Sequence, residues 1–246
     1  HSNYYDGSGS IAENVEVARK LGLDWLYSTD HNMLKANEVA GEINAAYNGK
    51  FLDLVGTELT IFGYSGKDKD TGHVLSYRVN SVVDGYPYPG AYTETRNRIW
   101  SATIASVIEQ GGFAYIAHPY NELVDYNNNG KDEDYGYWMS DYEKYTTKNM
   151  AGVEVINWFM HTSFPNIAAF KYWDELNSKG EKTYYGISNT DAHDPKYIGM
   201  VHNKGYMESL TVENVNNLLE NGSFYGTNGP DIRFEIDGID MGNTLY

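Results

Sequence analysis

The chain has 246 residues, of which 41% are hydrophobic and 21% charged, with a formal net charge of −16 and no cysteine. These proportions are those of a folded globular chain, and the length suits one large α/β domain with a substantial core. Without cysteine, disulfides and thiolate metal sites are excluded, and any metal must be held by His, Asp and Glu. The acidic balance, with no Lys/Arg cluster to offset it, disfavours nucleic acid and anionic membrane surfaces and leaves a small molecule as the expected partner. No apolar run approaches the roughly 18 residues that a membrane helix needs. Abundant Tyr, Asn and Gly beside that acidity fit an exported bacterial protein, so a secreted or periplasmic location is expected, with its leader outside this chain. Oligomeric state leaves no mark on the sequence.

Residues 11–21 carry Ile11, Val15, Ala18 and Leu21 at helical spacing, with Ser10 as N-cap and Gly22 as a stop. Leu23 to Thr29 then reads as a short buried strand with the polar Asp30-His31-Asn32 at its end. The same grammar returns at 53–56 before Glu58, at a helix over 99–109 and strand over 113–117 before His118, and at 153–156 before Asn157. It returns once more at a helix over 167–178 and a strand over 184–188 before Asn189 to His193. Such repetition predicts mostly parallel strands in a sheet or barrel, whose strand ends converge on one face.

Residues 65–72 and 84–95 are rich in Gly, Pro and charge and read as loops, and 121–149 as a long polar insertion. A helix is expected over 212–219, then turns and short extended pieces from 224. The main domain is taken as 1–235, with 236–246 as a C-terminal extension that looks like the start of a further β unit.

Seven histidines stand at 1, 31, 73, 118, 161, 193 and 202. His1 with Asp6, His31, Glu58, His73, His118, Asp191 and His193 form the candidate metal set, most of them at strand ends. Imidazole and carboxylate suit Zn²⁺, Mn²⁺ or Fe²⁺, and a carboxylate such as Glu58 can be shared by two ions. Two or three such ions lower the pKa of water toward about 7 and make it a nucleophile without serine or cysteine. Glu58, His73, His118 and Asp191 are the residues expected to carry catalysis. His161 and His202 read as structural histidines.

These motifs resemble the polymerase and histidinol phosphatase (PHP) superfamily of metal-dependent hydrolases, and the likeness runs over nearly the whole chain. The resemblance implies a distorted (β/α)7 barrel with the metal site at the C-terminal ends of its strands. That family opens on a His-x-His pair, and the spacing from His1 to Asp6 matches the pair's second histidine; its first would stand two positions before His1. By resemblance, one metal lies near His1, Glu58 and Asp191, a second near Glu58 and His118, and a third near Asp6, His31 and His193. His73 either completes the second set or contacts substrate. Asn221 to Pro230 is similar to the ending of secreted members, including the carbaryl-esterase-like branch.

Other features have softer readings. Asp30 is expected to orient His31 by a hydrogen bond, and Glu154 either supports a ligand or is structural. Arg96 and Arg98 either clamp an anionic group or are solvated; Trp158, Phe159 and Tyr86-Pro87-Tyr88 either line a pocket or pack. Asp125, Asn127 and Asn129 match the first half of a calcium loop, but position twelve is Gly136 rather than Glu, so a polar turn is the alternative. The first functional expectation is a phosphoesterase. Hydrolysis of a carboxylic or carbamate ester by the same site is the second, a metal-stabilised domain without catalysis the third, and a glycan-binding module, suggested only by the tyrosines, the weakest.

Overall fold

Helix α1 (Ile11–Lys20) starts where the sequence predicts, because Ser10 and Glu13 close a reciprocal capping box. Its apolar stripe buries Ile11, Val15 and Ala18 against the N-terminal core, worth about 2 kcal/mol for each large side chain. The structure, a computed structural model, describes residues 1–61, 72–82, 100–119, 123–124, 133–134, 149–158 and 164–240. The first α/β unit continues with β1 (Trp25–Ser28), α2 (Asn37–Tyr47) and β2 (Leu52–Val55). Helix α2 has no counterpart in the sequence reading. It lacks a side-chain cap and fully buries only Ala40 among its own residues, while Val39, Ile43 and Tyr47, spaced four apart, pack partly buried on the N-terminal core.

The central sheet has five strands: β3 (Thr57–Ile61), β4 (Gly72–Tyr77), β5 (Phe113–Ile116), then β8 (Gly152–Asn157) and β9 (Tyr185–Asn189). Helices α3 (Trp100–Glu109) and α4 (Phe164–Ser178) contribute to one of its faces. Two short strands, β6 (Leu123–Val124) and β7 (Glu133–Asp134), pair antiparallel. After β9 come β10 (His202–Gly205), α5 (Val212–Glu220) and β11 (Phe224–Thr227), with β10 and β11 antiparallel, and then the hairpin β12 (Glu235–Ile236) and β13 (Ile239–Asp240).

The expectation of mostly parallel strands needs correction. β1–β2 and β5–β8–β9 are parallel, but β4 runs antiparallel to both β3 and β5. The β3–β4 connection is only residues 62–71, shorter than the dozen or so that a parallel crossover needs. Among the described residues the fold is mixed α/β around a central sheet rather than a closed ring. Among the described residues β1 pairs with β2 alone, and β9 with β8 alone. Between β1 and β9 lies a cavity of about 950 Å³ lined by both strands.

Both faces of the sheet are covered, as side-chain alternation requires. Val74, Ala114, Ile116 and Val153 pack with Ile104 and Val107 of α3 and Tyr172 and Leu176 of α4. Leu75, Tyr77, Phe113 and Tyr115 point the other way, onto Val215, Leu218 and Leu219 of α5. Glu58 pairs opposite Leu75, which pairs opposite Tyr115. This register sets the Glu58 carboxylate on the second, inner face, directly below the strand ends.

Candidate metal centre

His1 is fixed by the turn that follows it. Gly7 N–H and Tyr5 N–H donate to the Ser2 carbonyl at 2.9 and 3.1 Å, and Ser2 donates through its N–H and hydroxyl to Asp30 at 2.5 and 2.6 Å. The turn leaves no room for a side chain at Gly7, where a Cβ would lie 2.6 Å from the His1 carbonyl carbon. The His1 backbone nitrogen donates to the Ala192 carbonyl at 3.0 Å, tying this segment to the loop after β9. Asp30 therefore does not orient the His31 ring as expected, because its carboxylate is taken by Ser2.

All eight predicted metal residues come together. His1 Nε2 lies 3.0 Å from both Glu58 Oε2 and Asp191 Oδ1, and His1 Nδ1 lies 3.2 Å from Asp6 Oδ1. Glu58 Oε1 is 2.5 Å from His73 Nδ1 and 3.0 Å from His118 Nε2. Asp6 Oδ2 is 3.3 Å from His193 Nε2 and 3.7 Å from His31 Nε2. His73, left open between ligand and substrate contact in the sequence, stands against Glu58 and 3.2 Å from His118 Nε2.

Three sets offer ligand atoms within 4.8 Å of one another: His1, Asp6, His31 and His193; His31, Glu58 and His73; and His1, Glu58 and Asp191. The donor set fits first-row divalent ions. Bonds of about 2.0–2.1 Å in a tetrahedral site put neighbouring ligand atoms about 3.3–3.4 Å apart, close to the spacings seen. Two rings also have their second nitrogen engaged, which leaves the first for an ion. His31 Nδ1 is 3.2 Å from Thr60 Oγ1, and His193 Nδ1 is 2.9 Å from the Asp191 carbonyl.

Burial alone would make His1 and His118 harder to protonate, but the carboxylates win. Hydrogen bonds to Asp191, Asp6 and Glu58 push His1 far above the usual histidine range, and Glu58 pushes His118 up to about 9. Burial likewise disfavours ionised Glu58, yet the His73 charge and the His1 and His118 hydrogen bonds hold its pKa well below normal. His31 goes the other way, down to about 4, because burial dominates there. The floor of the site is buried, with the His1 and Glu58 side chains 2% and 3% exposed, while Asp6 and His193 at the rim are 37% and 42% exposed.

Sequence reasoning did not settle the layer behind the ligands. Glu154, on β8, accepts the His118 backbone N–H at 2.6 Å, the Asn157 amide at 3.1 Å and the Asn189 amide at 2.7 Å. His118 and Asp191 both have positive φ, 22° and 49°, at the two strand ends involved, as backbone held at a functional site often does. The polar asparagines closing β8 and β9 were the available signal. His202, read from the sequence as structural, has Nδ1 3.3 Å from the Gly199 carbonyl. Asp125, Asn127, Asn129, Arg96, Arg98, Tyr86, Pro87, Tyr88, Phe159 and His161 lie outside the described residues.

No family model matches the sequence, and no curated protein does. Solved structures do. A two-domain Bacteroides vulgatus protein containing a predicted PHP-like metal-dependent phosphoesterase superposes with a TM-score of 0.58 at 16% identity over 92% of this chain. This chain spans 62% of that protein's length. A Bifidobacterium adolescentis protein described as a metal-dependent phosphoesterase gives a TM-score of 0.56 at 14% identity, covering 89% of this chain and 94% of its own. An amidohydrolase from Chromobacterium violaceum, solved with sulfate and without metal, gives 0.55 at 15% identity over 80% of this chain and 87% of its own. The chain thus shares the fold of these three proteins.

Proposed function

We propose that the protein is a metal-dependent phosphoesterase acting on a small substrate. The observation that carries this reading is the meeting of His1, His31, His73, His193, Asp6, Asp191 and the buried Glu58 in three adjoining ligand sets, with His118 3.0 Å from Glu58. His1, Glu58 and Asp191 would hold one ion, Glu58, His73 and His118 a second, and Asp6, His31 and His193 a third, with Zn²⁺, Mn²⁺ and Fe²⁺ all matching the donors. Such ions supply an activated water and positive charge facing the phosphoryl oxygens.

The chain's own residues prepare the site. Glu58 presents one oxygen to His1 and the other to His73 and His118, so one buried carboxylate joins two ligand sets. Burial of the floor strengthens the charge interactions there, and the open rim at Asp6 and His193 admits substrate. Three adjoining cation positions suit a group with several anionic oxygens, which favours a phosphate ester over a carboxylic or carbamate ester. The latter remains the second reading, suggested by an amidohydrolase among the structural neighbours. We also read the family's distorted barrel and an exported location into this account.

A panel of chromogenic phosphate monoesters, phosphate diesters and carboxylic esters, assayed with Mn²⁺ or Zn²⁺ and with chelator, tests it. Phosphate ester turnover that chelator abolishes is expected. Turnover of carboxylic esters alone would favour the second reading, and metal uptake without turnover of either would leave a metal-stabilised binding domain.

A further inference from the structure

We infer that Glu154 is a positioning residue that ties the His118 and Asp191 sides of the metal centre together; the inference rests on the metal-site reading above. The carboxylate is 2% exposed and faces three N–H donors. Its shortest contact, 2.6 Å, is to the backbone N–H of His118. That backbone has φ of +22°, a conformation that a non-glycine residue keeps only when its surroundings impose it. A charged acceptor aimed at that N–H is such an imposition.

The second tie runs through Asn157. Its side-chain amide reaches Glu154 Oε2 at 3.1 Å and Asp191 Oδ2 at 3.3 Å. The Asn157 backbone is clamped on both sides by Asn166, which fixes the point from which the amide reaches both carboxylates. The third tie, to Asn189, fixes the end of β9 two residues before Asp191. One carboxylate thus sets a residue from the β5 end and a residue from the β9 end, which reach Glu58 and His1 respectively.

The number of acceptor oxygens matters as well as the shape. A glutamine at this position keeps an acceptor for His118 or for Asn189 but turns an NH₂ toward the other donor. Rotating the Asn189 amide to accept it would set the Asn189 NH₂ against Asn203 Nδ2, now 3.4 Å from Asn189 Oδ1. The conflict moves but does not vanish.

The test is Co²⁺ titration of the full chain, stripped with chelator, followed by visible absorption, whose band shape reports ligand geometry. Wild type is expected to take up Co²⁺. Glu154→Gln should bind about 10- to 100-fold more weakly, with an altered band. Asp53→Asn, which changes a carboxylate equally buried on β2, should bind like wild type. Equal affinity and an identical band in a folded Glu154→Gln would overturn the inference alone. No Co²⁺ uptake by wild type would overturn the metal-site reading, and the inference with it. If Glu154→Gln does not fold, Asn157→Ala decides on the same scale: weaker uptake supports the tie to Asp191, and unchanged uptake refutes it.

Discussion

Raising the pH of the metal-free protein from neutral to about 9.5 should destabilise it, and adding zinc should remove the effect. The group responsible is His118, whose folded pKa near 9 stands above the ordinary 6.5 because Glu58 outweighs the cost of burial. A proton held only by the folded state stabilises fully below the unfolded pKa and is lost as pH rises through the folded one. At about 1.4 kcal/mol per pH unit, the interval from 6.5 to about 9 is worth about 3 kcal/mol. His1, raised further by Asp191, Asp6 and Glu58, adds in the same direction. Other buried groups act elsewhere: His31, lowered to about 4, works below 6.5, while Asp53 and Glu154, raised to about 7 by burial, have completed their effect just above neutrality. Urea unfolding in chelator at pH 7.5 and 9.5 should therefore show a clear loss, about 2 kcal/mol of it from His118. With saturating Zn²⁺ the ion displaces these protons beforehand, and the loss should vanish. Equal stability at both pH values in chelator, or the same loss with and without Zn²⁺, would refute the reasoning.

Three substitutions separate the site from its scaffold. Gly7→Ala places a methyl 2.6 Å from the His1 backbone, so the turn must shift and carry His1 and Asp6 with it; metal affinity by calorimetry should fall about tenfold or more, with about 1–3 kcal/mol lost from stability. Thr60→Val keeps the shape beside His31 but removes the oxygen 3.2 Å from its Nδ1, and should weaken metal binding about tenfold while far-UV circular dichroism stays unchanged. Ser10→Ala breaks the capping box of α1, costing about 1 kcal/mol in denaturant unfolding and leaving metal affinity alone.

The ligands were legible because their chemistry is local to the sequence. His31, His118, Asp191 and His193 stand in polar steps past buried apolar runs, and parallel strands such as β5, β8 and β9 bring their ends to one edge. Glu58 and His73 instead lie within β3 and near the start of β4. The α1 cap was legible for the same reason, since Ser10 and Glu13 are three residues apart. Strand direction was not, because Val74 and Leu75 look alike whichever way β4 runs; only the short connection before it hints at an antiparallel return. Helix α2 escaped because most of its surface is polar or small. Asp30 was misjudged because its partner, Ser2, lies 28 residues away, a distance that no sequence pattern encodes. The support that Glu154 gives His118 comes from across the sheet, 36 residues on, and it too becomes visible only in three dimensions.

The central claim is that these residues hold divalent ions where Glu58 joins them. Diffraction from crystals grown with Zn²⁺ or Mn²⁺, collected across the metal's absorption edge, tests it most directly. The account predicts anomalous peaks within bonding distance of Glu58, shared on one side with His1 and Asp191 and on the other with His73 and His118, and a further peak among Asp6, His31 and His193. Peaks confined to surface carboxylates, or none at Glu58 under saturating metal, would contradict it.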